Sequence, residues 1–242
     1  MGLFKKLFGE SKKEEPVSSV CKIDMSKSAE NLNKVLIDMS KSGKIDMTKH
    51  EAKVALAMDY SGSMDHLYYS GAVQDVISRL LPIAMKFDDN GELESWLFSN
   101  GSCQLDPVNI YNCNTYVRDH MLSSRMQMGG TNYSPVLKDI VEFYGSAKNV
   151  GTPAFIIFIT DGENWDRDDT TKIIRKLSKY NMFIQFVGIG SERFDYLKRL
   201  DDLDGRESDN TGFIAVDDMN AMTDQELYTE LLRQYKDWLN NK

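Results

Sequence analysis

Two unbroken apolar runs constrain this chain more than any other feature. V-A-L-A-M at 54–58 and A-F-I-I-F-I at 154–159 are too short to span a membrane, and each reads as a buried strand. Each is followed by apolar residues at helical spacing. Val73, Val76, Ile77, Leu80, Leu81 and Ala84 mark a helix over 68–86, which Pro82 should bend or end early. Asp88-Asp89-Asn90-Gly91 is a turn, after which come a strand at 93–98, a short strand near 102–106 and a helix near 114–125. The second half repeats the alternation, with strands at 154–160, 182–188 and 213–216 and helices at 134–146, 169–179, 193–202 and 223–240. Strands alternating with helices of this length imply mainly parallel pairing with helices on both faces. The expectation is an α/β fold, a doubly wound, mainly parallel six-stranded sheet, over 51–242.

Upstream, the pattern is different. I-D-M-S-K occurs at 23–27 and 37–41, and I-D-M-T-K at 45–49. Ile and Met two apart suggest strands with one apolar face. The last copy is expected to form a strand leading into the core domain. The earlier ones read as hairpin partners, as peptides offered to a sheet edge elsewhere, or as a duplicated linker, so 20–50 is taken as a strand-repeat linker. Residues 1–19 form a separate tail: Leu3, Phe4, Leu7 and Phe8 can share one helical face opposite Lys5 and Lys6, before the charged stretch E-S-K-K-E-E-P-V-S. The apolar part is too short for a signal peptide, and Lys6 breaks the myristoylation pattern. A frayed tail is the plain reading; weak membrane-surface or partner contact through residues 2–9 is the alternative.

Composition removes several function classes. A net charge of −8 argues against a nucleic-acid partner, because phosphate contacts need clustered Lys and Arg. Three cysteines with no C-x-x-C pair fit a reducing cytoplasm better than a disulfide framework.

Ligands of open parallel sheets gather outside the carboxyl ends of the strands, and three polar loops should reach that edge here. D-Y-S-G-S at 59–63 brings Asp59, Ser61 and Ser63; G-G-T-N-Y-S-P at 129–135 brings Thr131; T-D-G-E-N at 160–164 brings Asp161. All five side chains are oxygen donors, and hard oxygen ligands select Mg²⁺, with Mn²⁺ or Ca²⁺ as alternatives, over zinc. Each motif alone has an ordinary explanation as a strand-end turn or a helix cap. Together, each at an element end, they are far more specific.

D-Y-S-G-S, G-G-T-N and I-T-D-G resemble the metal-ion-dependent adhesion site of von Willebrand factor A (vWA) domains. N-G-E-L-E-S-W-L-F-S, F-I-I-F-I-T-D-G-E-N, F-V-G-I-G, L-D-D-L-D-G-R and D-N-T-G-F are similar to the bacterial tellurium-resistance (Ter) branch, over roughly residues 34–240. The resemblance implies a Rossmann-like vWA fold in which Ser61, Ser63 and Thr131 touch the ion, while Asp59 and Asp161 act mostly through water. It implies a protein partner that offers an acidic side chain to the metal, other Ter-like proteins among the partners, and a bacterial or phage stress-response, toxic-anion resistance or defence setting. Such a module would be cytoplasmic, or peripheral to the inner membrane, and would not be an enzyme.

The rival classes are a Mg²⁺-dependent hydrolase and a metal-independent scaffold. No G-x-x-x-x-G-K-[ST] or G-x-S-x-G stretch exists. His66 could be paired with Ser61 or Ser63, and Glu163 or Asp65 tried as a general base for metal-assisted hydrolysis.

Overall fold

The computed structural model describes residues 25–145, 151–162 and 164–242. The expectations for residues 1–19, for the opening Ile23 and Asp24 of the first repeat copy, and for Glu163 lie outside the described residues.

Six strands form one sheet: β1 (Lys53–Asp59), β2 (Leu93–Phe98), β3 (Ser102–Val108), β4 (Ala154–Thr160), β5 (Met182–Ile189) and β6 (Thr211–Val216), in the order β3-β2-β1-β4-β5-β6. Every neighbouring pair is parallel except β2–β3, which is a hairpin. The mainly parallel six-stranded expectation therefore holds. From β1 the chain builds outward through β2 and β3, then crosses back to lay β4 on the other side of β1. The switch in strand order falls between β1 and β4, where a ligand crevice opens at the carboxyl ends. Met58 pairs with Ile159, so Asp59 and Thr160 end their strands side by side.

Alternation along the strands divides the core. Val54, Leu56 and Met58 of β1 and Phe155, Ile157 and Ile159 of β4 share one layer with α1 (Met25–Lys41), α3 (Ala72–Phe87) and α7 (Asp224–Asn240). Ala55, Ala57, Ile156 and Phe158 face α4 (Ser134–Tyr144), α5 (Arg167–Leu177) and α6 (Asp195–Asp201). Apolar residues on both faces of β1 and β4 are the reason those strands read as unbroken apolar runs.

Four sequence expectations are corrected. The 68–86 helix is two helices, α2 (Asp65–Ser70) and α3, divided at Gly71, whose φ of 88° ends the first turn-and-a-half. Pro82 does not stop α3, which continues to Phe87: Ile83, Ala84 and Phe87 are buried, and their burial outweighs the one backbone hydrogen bond proline forgoes. Near 114–125 the only helical element is a five-residue π-helical turn, Val117–Met121.

The fourth correction concerns the repeats. The described part of the first copy and the whole of the second lie in helix α1, and the third copy is a turn. Leu32, Val35, Leu36 and Met39 are buried at helical spacing, a longer pattern than Ile and Met two apart. Helix α1 runs alongside α7: Ser28 Oγ donates to Asp224 Oδ2 at 2.7 Å, and Lys44 N to Asn240 Oδ1 at 2.8 Å. In the third copy Asp46 accepts bonds from the Thr48 amide and hydroxyl, which bends the backbone, while Met47 is buried. From Met25 onward this region is packed into the core layer.

Candidate functional site

Asp59 closes β1 and is fully buried. Ser61 N donates to its Oδ1 at 2.8 Å and Thr160 Oγ1 to its Oδ2 at 2.6 Å. Burial outweighs these two donors and pushes the carboxyl up to about 6. The backbone of the next loop is fixed as well: Ser61 forms a parallel bridge with Gly129, and Gly62 N donates to Gly129 O at 3.0 Å.

From there the hydroxyls form a chain. Ser61 Oγ lies 3.0 Å from Ser63 Oγ, and Ser63 Oγ donates to Asp161 Oδ1 at 2.9 Å. Asp161 follows β4, and burial raises its carboxyl above the usual range, offset in part by the Ser63 hydroxyl. Thr131 arrives on the third loop, two residues after Gly129, and its carbonyl accepts from Trp165 N at 3.0 Å. All three loops expected at this edge are therefore joined by hydrogen bonds.

The G-G-T loop owes its path to small residues. A Cβ on Gly129 would stand 2.6 Å from Asn100 Nδ2, and one on Gly130 would stand 2.8 Å from Asn100 Oδ1. Without them, Gly130 N donates to Asn100 Oδ1 at 3.0 Å, and Asn132 Nδ2 donates to Asn100 O at 3.1 Å. The following helix is capped from across the site: Asp166 accepts from Tyr133 N at 3.0 Å and Ser134 N at 2.7 Å. Burial alone would raise the Asp166 carboxyl, but these donors with Asn164 hold it below its ordinary value.

Thr160, Asn100 and Asp166 were not singled out in the sequence. Thr160 stands inside the quoted T-D-G-E-N motif, so its hydroxyl was in view. Asn100 belongs to a turn from another strand, and no spacing points to it.

Among the described residues, no group of three or more His, Cys, Asp or Glu side chains is placed to hold a metal ion. A cation here needs the hydroxyls, and the donor set suits one. Neighbouring oxygens around an octahedral Mg²⁺ at roughly 2.1 Å lie about 3.0 Å apart, and Ser61 Oγ and Ser63 Oγ have that separation. Two carboxyls held above their usual range by burial gain from a neighbouring positive charge. The Ser–His pairing is not formed: His66 Nδ1 lies 2.9 Å from the Ser63 carbonyl oxygen, while the Ser63 hydroxyl is engaged by Asp161.

Comparison with known proteins gives the same fold. Residues 51–242 match the vWA-TerF-like family, described as the vWA found in the TerF C terminus. The chain is 40% identical over 198 residues to YcbR of Bacillus subtilis (strain 168), covering 81% of each protein. An aerotolerance-related membrane protein from Bacteroides fragilis superposes with a TM-score of 0.56 at 17% identity, over 75% of this chain and 99% of that one. Proximal thread matrix protein 1 from the mussel byssus, solved with a zinc-occupied MIDAS motif, gives 0.51 at 13% identity over 77% of this chain. The present chain spans only 46% of that mussel protein. Among the described residues no helix is long and apolar enough to cross a membrane.

Proposed function

The chain belongs to the vWA-TerF-like family, and from that premise we propose that it is a divalent-metal-dependent protein-binding module and not an enzyme. Ser61, Ser63 and Thr131 would hold the ion directly, and Asp59 and Asp161 would orient waters around it. Mg²⁺ is the ion the oxygen-only donor set favours, with Mn²⁺ and Ca²⁺ as alternatives. The observation that carries this reading is the run of oxygens from Ser61 Oγ through Ser63 Oγ to Asp161 Oδ1, at 3.0 and 2.9 Å.

The bound ion supplies an incompletely neutralised positive charge. This chain's residues do the rest. Asp59 is fixed by Thr160 and the Ser61 amide, so it holds its orientation without reaching outward. The Gly129–Ser61 bridge sets the spacing of the two hydroxyl loops. With Ser61, Ser63 and Thr131 as hydroxyl ligands, the site would present that charge to an acidic side chain of a protein partner, Ter-like proteins included. The setting is a bacterial or phage stress-response, tellurite or toxic-anion resistance or defence system, in the cytoplasm or peripheral to the inner membrane.

Calorimetric titration with Mg²⁺, Mn²⁺ and Ca²⁺ tests the site, and capture of partners with and without chelator tests the use made of it. Asp59→Ala should weaken ion binding and abolish chelator-sensitive capture while the domain stays folded. Absence of binding at millimolar ion would leave a metal-independent scaffold. Ion-dependent turnover of a phosphoester panel would make the protein a hydrolase instead.

A further inference from the structure

A groove of about 700 Å³ opens between the end of β6 and the first turns of α7. It is lined by Val216 and Met222 together with the acids Asp217, Asp218, Glu226 and Glu230. None of the described residues lining it is Lys or Arg. Two of the acids are already engaged, Asp218 capping the turn at Asn220 and Glu226 completing the α7 capping box. Asp217 is free to meet a cation, and Glu230 is held only by a loose 3.8 Å contact with exposed Arg233. A lining that mixes apolar and acidic side chains suits a short segment with apolar residues on one side and Lys on the other.

The chain carries such a segment, and the fold brings its tether to this place. Leu3, Phe4, Leu7 and Phe8 flank Lys5 and Lys6 in M-G-L-F-K-K-L-F-G. Helix α1 begins at Met25, and its first turns are bound to the start of α7 through Ser28–Asp224 and Asn31–Gln225. Gln225 also lines the groove. Residues 9–24 separate the two, a length that can extend up to about 50 Å at roughly 3.3 Å per residue. A tether of that size gives an effective concentration on the order of millimolar, so weak docking suffices for occupancy.

We infer that residues 3–8 dock in the β6–α7 groove of their own chain, apolar side chains on Val216 and Met222 and Lys5 and Lys6 against Asp217 and Glu230. The docked segment occupies the same edge of the sheet as the ion site, at the far end from β1, since β1, β4, β5 and β6 are parallel. It is withdrawn from a membrane surface or another protein while it is docked.

Carbodiimide cross-linking of the full chain tests this, because the reagent joins Lys amines directly to carboxylates. Lys5 and Lys6 should link to Asp217 and Glu230 within one molecule, at a yield independent of protein concentration. Lys5→Glu/Lys6→Glu should remove these links and speed amide exchange over 216–230 severalfold, with no change in melting temperature. Asp217→Lys/Glu230→Lys should remove them too, and combining the four substitutions should restore links of reversed polarity and slow the exchange again. Links that form only between molecules would assign the segment to a second copy and overturn the inference. So would the absence of links from a chain that co-sediments with phosphatidylglycerol-containing vesicles, which would assign it to the membrane. Neither result bears on the ion site, which is tested separately.

Discussion

Thr160 Oγ1 donates to Asp59 Oδ2 at 2.6 Å, and both side chains are fully buried. The bond ties the ends of β1 and β4 at the point where strand order switches. It also fixes the plane of a carboxylate that cannot reach solvent. Replacing Thr160 by Val keeps the shape and removes the donor. Groups that orient ligands in this way typically contribute 10–100-fold to metal affinity, so Mg²⁺ affinity should fall by about tenfold or more. Thr160→Ser keeps the hydroxyl and should stay near wild type in the same titration. Equal affinities for Val and Ser would mean that the bond does nothing for the ion.

Proton and cation should compete at Asp59. Its carboxyl is raised by burial to about 6 from an unfolded value of 3.8. The folded state therefore holds a proton that the unfolded chain has released, and the stability this gives is present below about pH 4 and lost as pH rises through 6. A divalent ion replaces what the proton supplied. The rise in melting temperature on adding millimolar Mg²⁺ should then be larger at pH 7.5 than at pH 5. Comparing with and without ion at each pH cancels His50, which burial pushes down to about 4 and which acts in the opposite sense. A rise that is the same at both values would separate Asp59 from the ion.

The sheet and the meeting of the three polar loops at one edge were legible because they rest on local patterns. Buried strands give unbroken apolar runs, and each site loop carries its polar residues within a few positions of a strand or helix end. What was not legible depends on contacts distant in sequence. Ile37 and Met39 fit a strand face two apart, yet the choice was made by the core layer of α3 and α7, which buries Leu32, Val35, Leu36 and Met39 together. L-D-D-L-D-G-R carries part of the Ter resemblance, but the contacts of its arginine cannot be read from the string. In the fold Arg206 donates to Leu203 O, Asp201 O and Thr211 Oγ1, and so closes the turn from α6 into β6. Asn100 shows the same limit, since its partners lie about thirty residues further along the chain.

Helix α1 gives a direct test of that correction. Leu36 is fully buried and Ile37 is 49% exposed. Leu36→Ala should cost about 2–5 kcal/mol in urea unfolding, the usual range for a leucine truncated to alanine in a core. Ile37→Ala should stay within about 0.5 kcal/mol. A strand over this segment would place Ile37 with Met39 and reverse the order of the two effects.

A glycine two strands from β1 should control both stability and the site. Gly188 ends its pairing in β5 opposite Thr160. A Cβ there would meet three ring atoms of Phe194 at 2.8 to 2.9 Å. The ring has little room to yield: Phe194 is 1% exposed, and its backbone is held at a φ of 51°, in the left-handed region, directly before α6. Gly188→Ala must therefore shift the strand or expel the ring, at a cost of about 1–3 kcal/mol for overpacking. If the strand moves, Thr160 moves with it, and Mg²⁺ affinity should fall alongside the urea midpoint. Adding Phe194→Leu makes space for the new methyl and should recover part of both. A fall in the urea midpoint with no fall in affinity would show that Gly188 acts on packing alone, and that the hydrogen bond between Thr160 and Asp59 is insulated from β5.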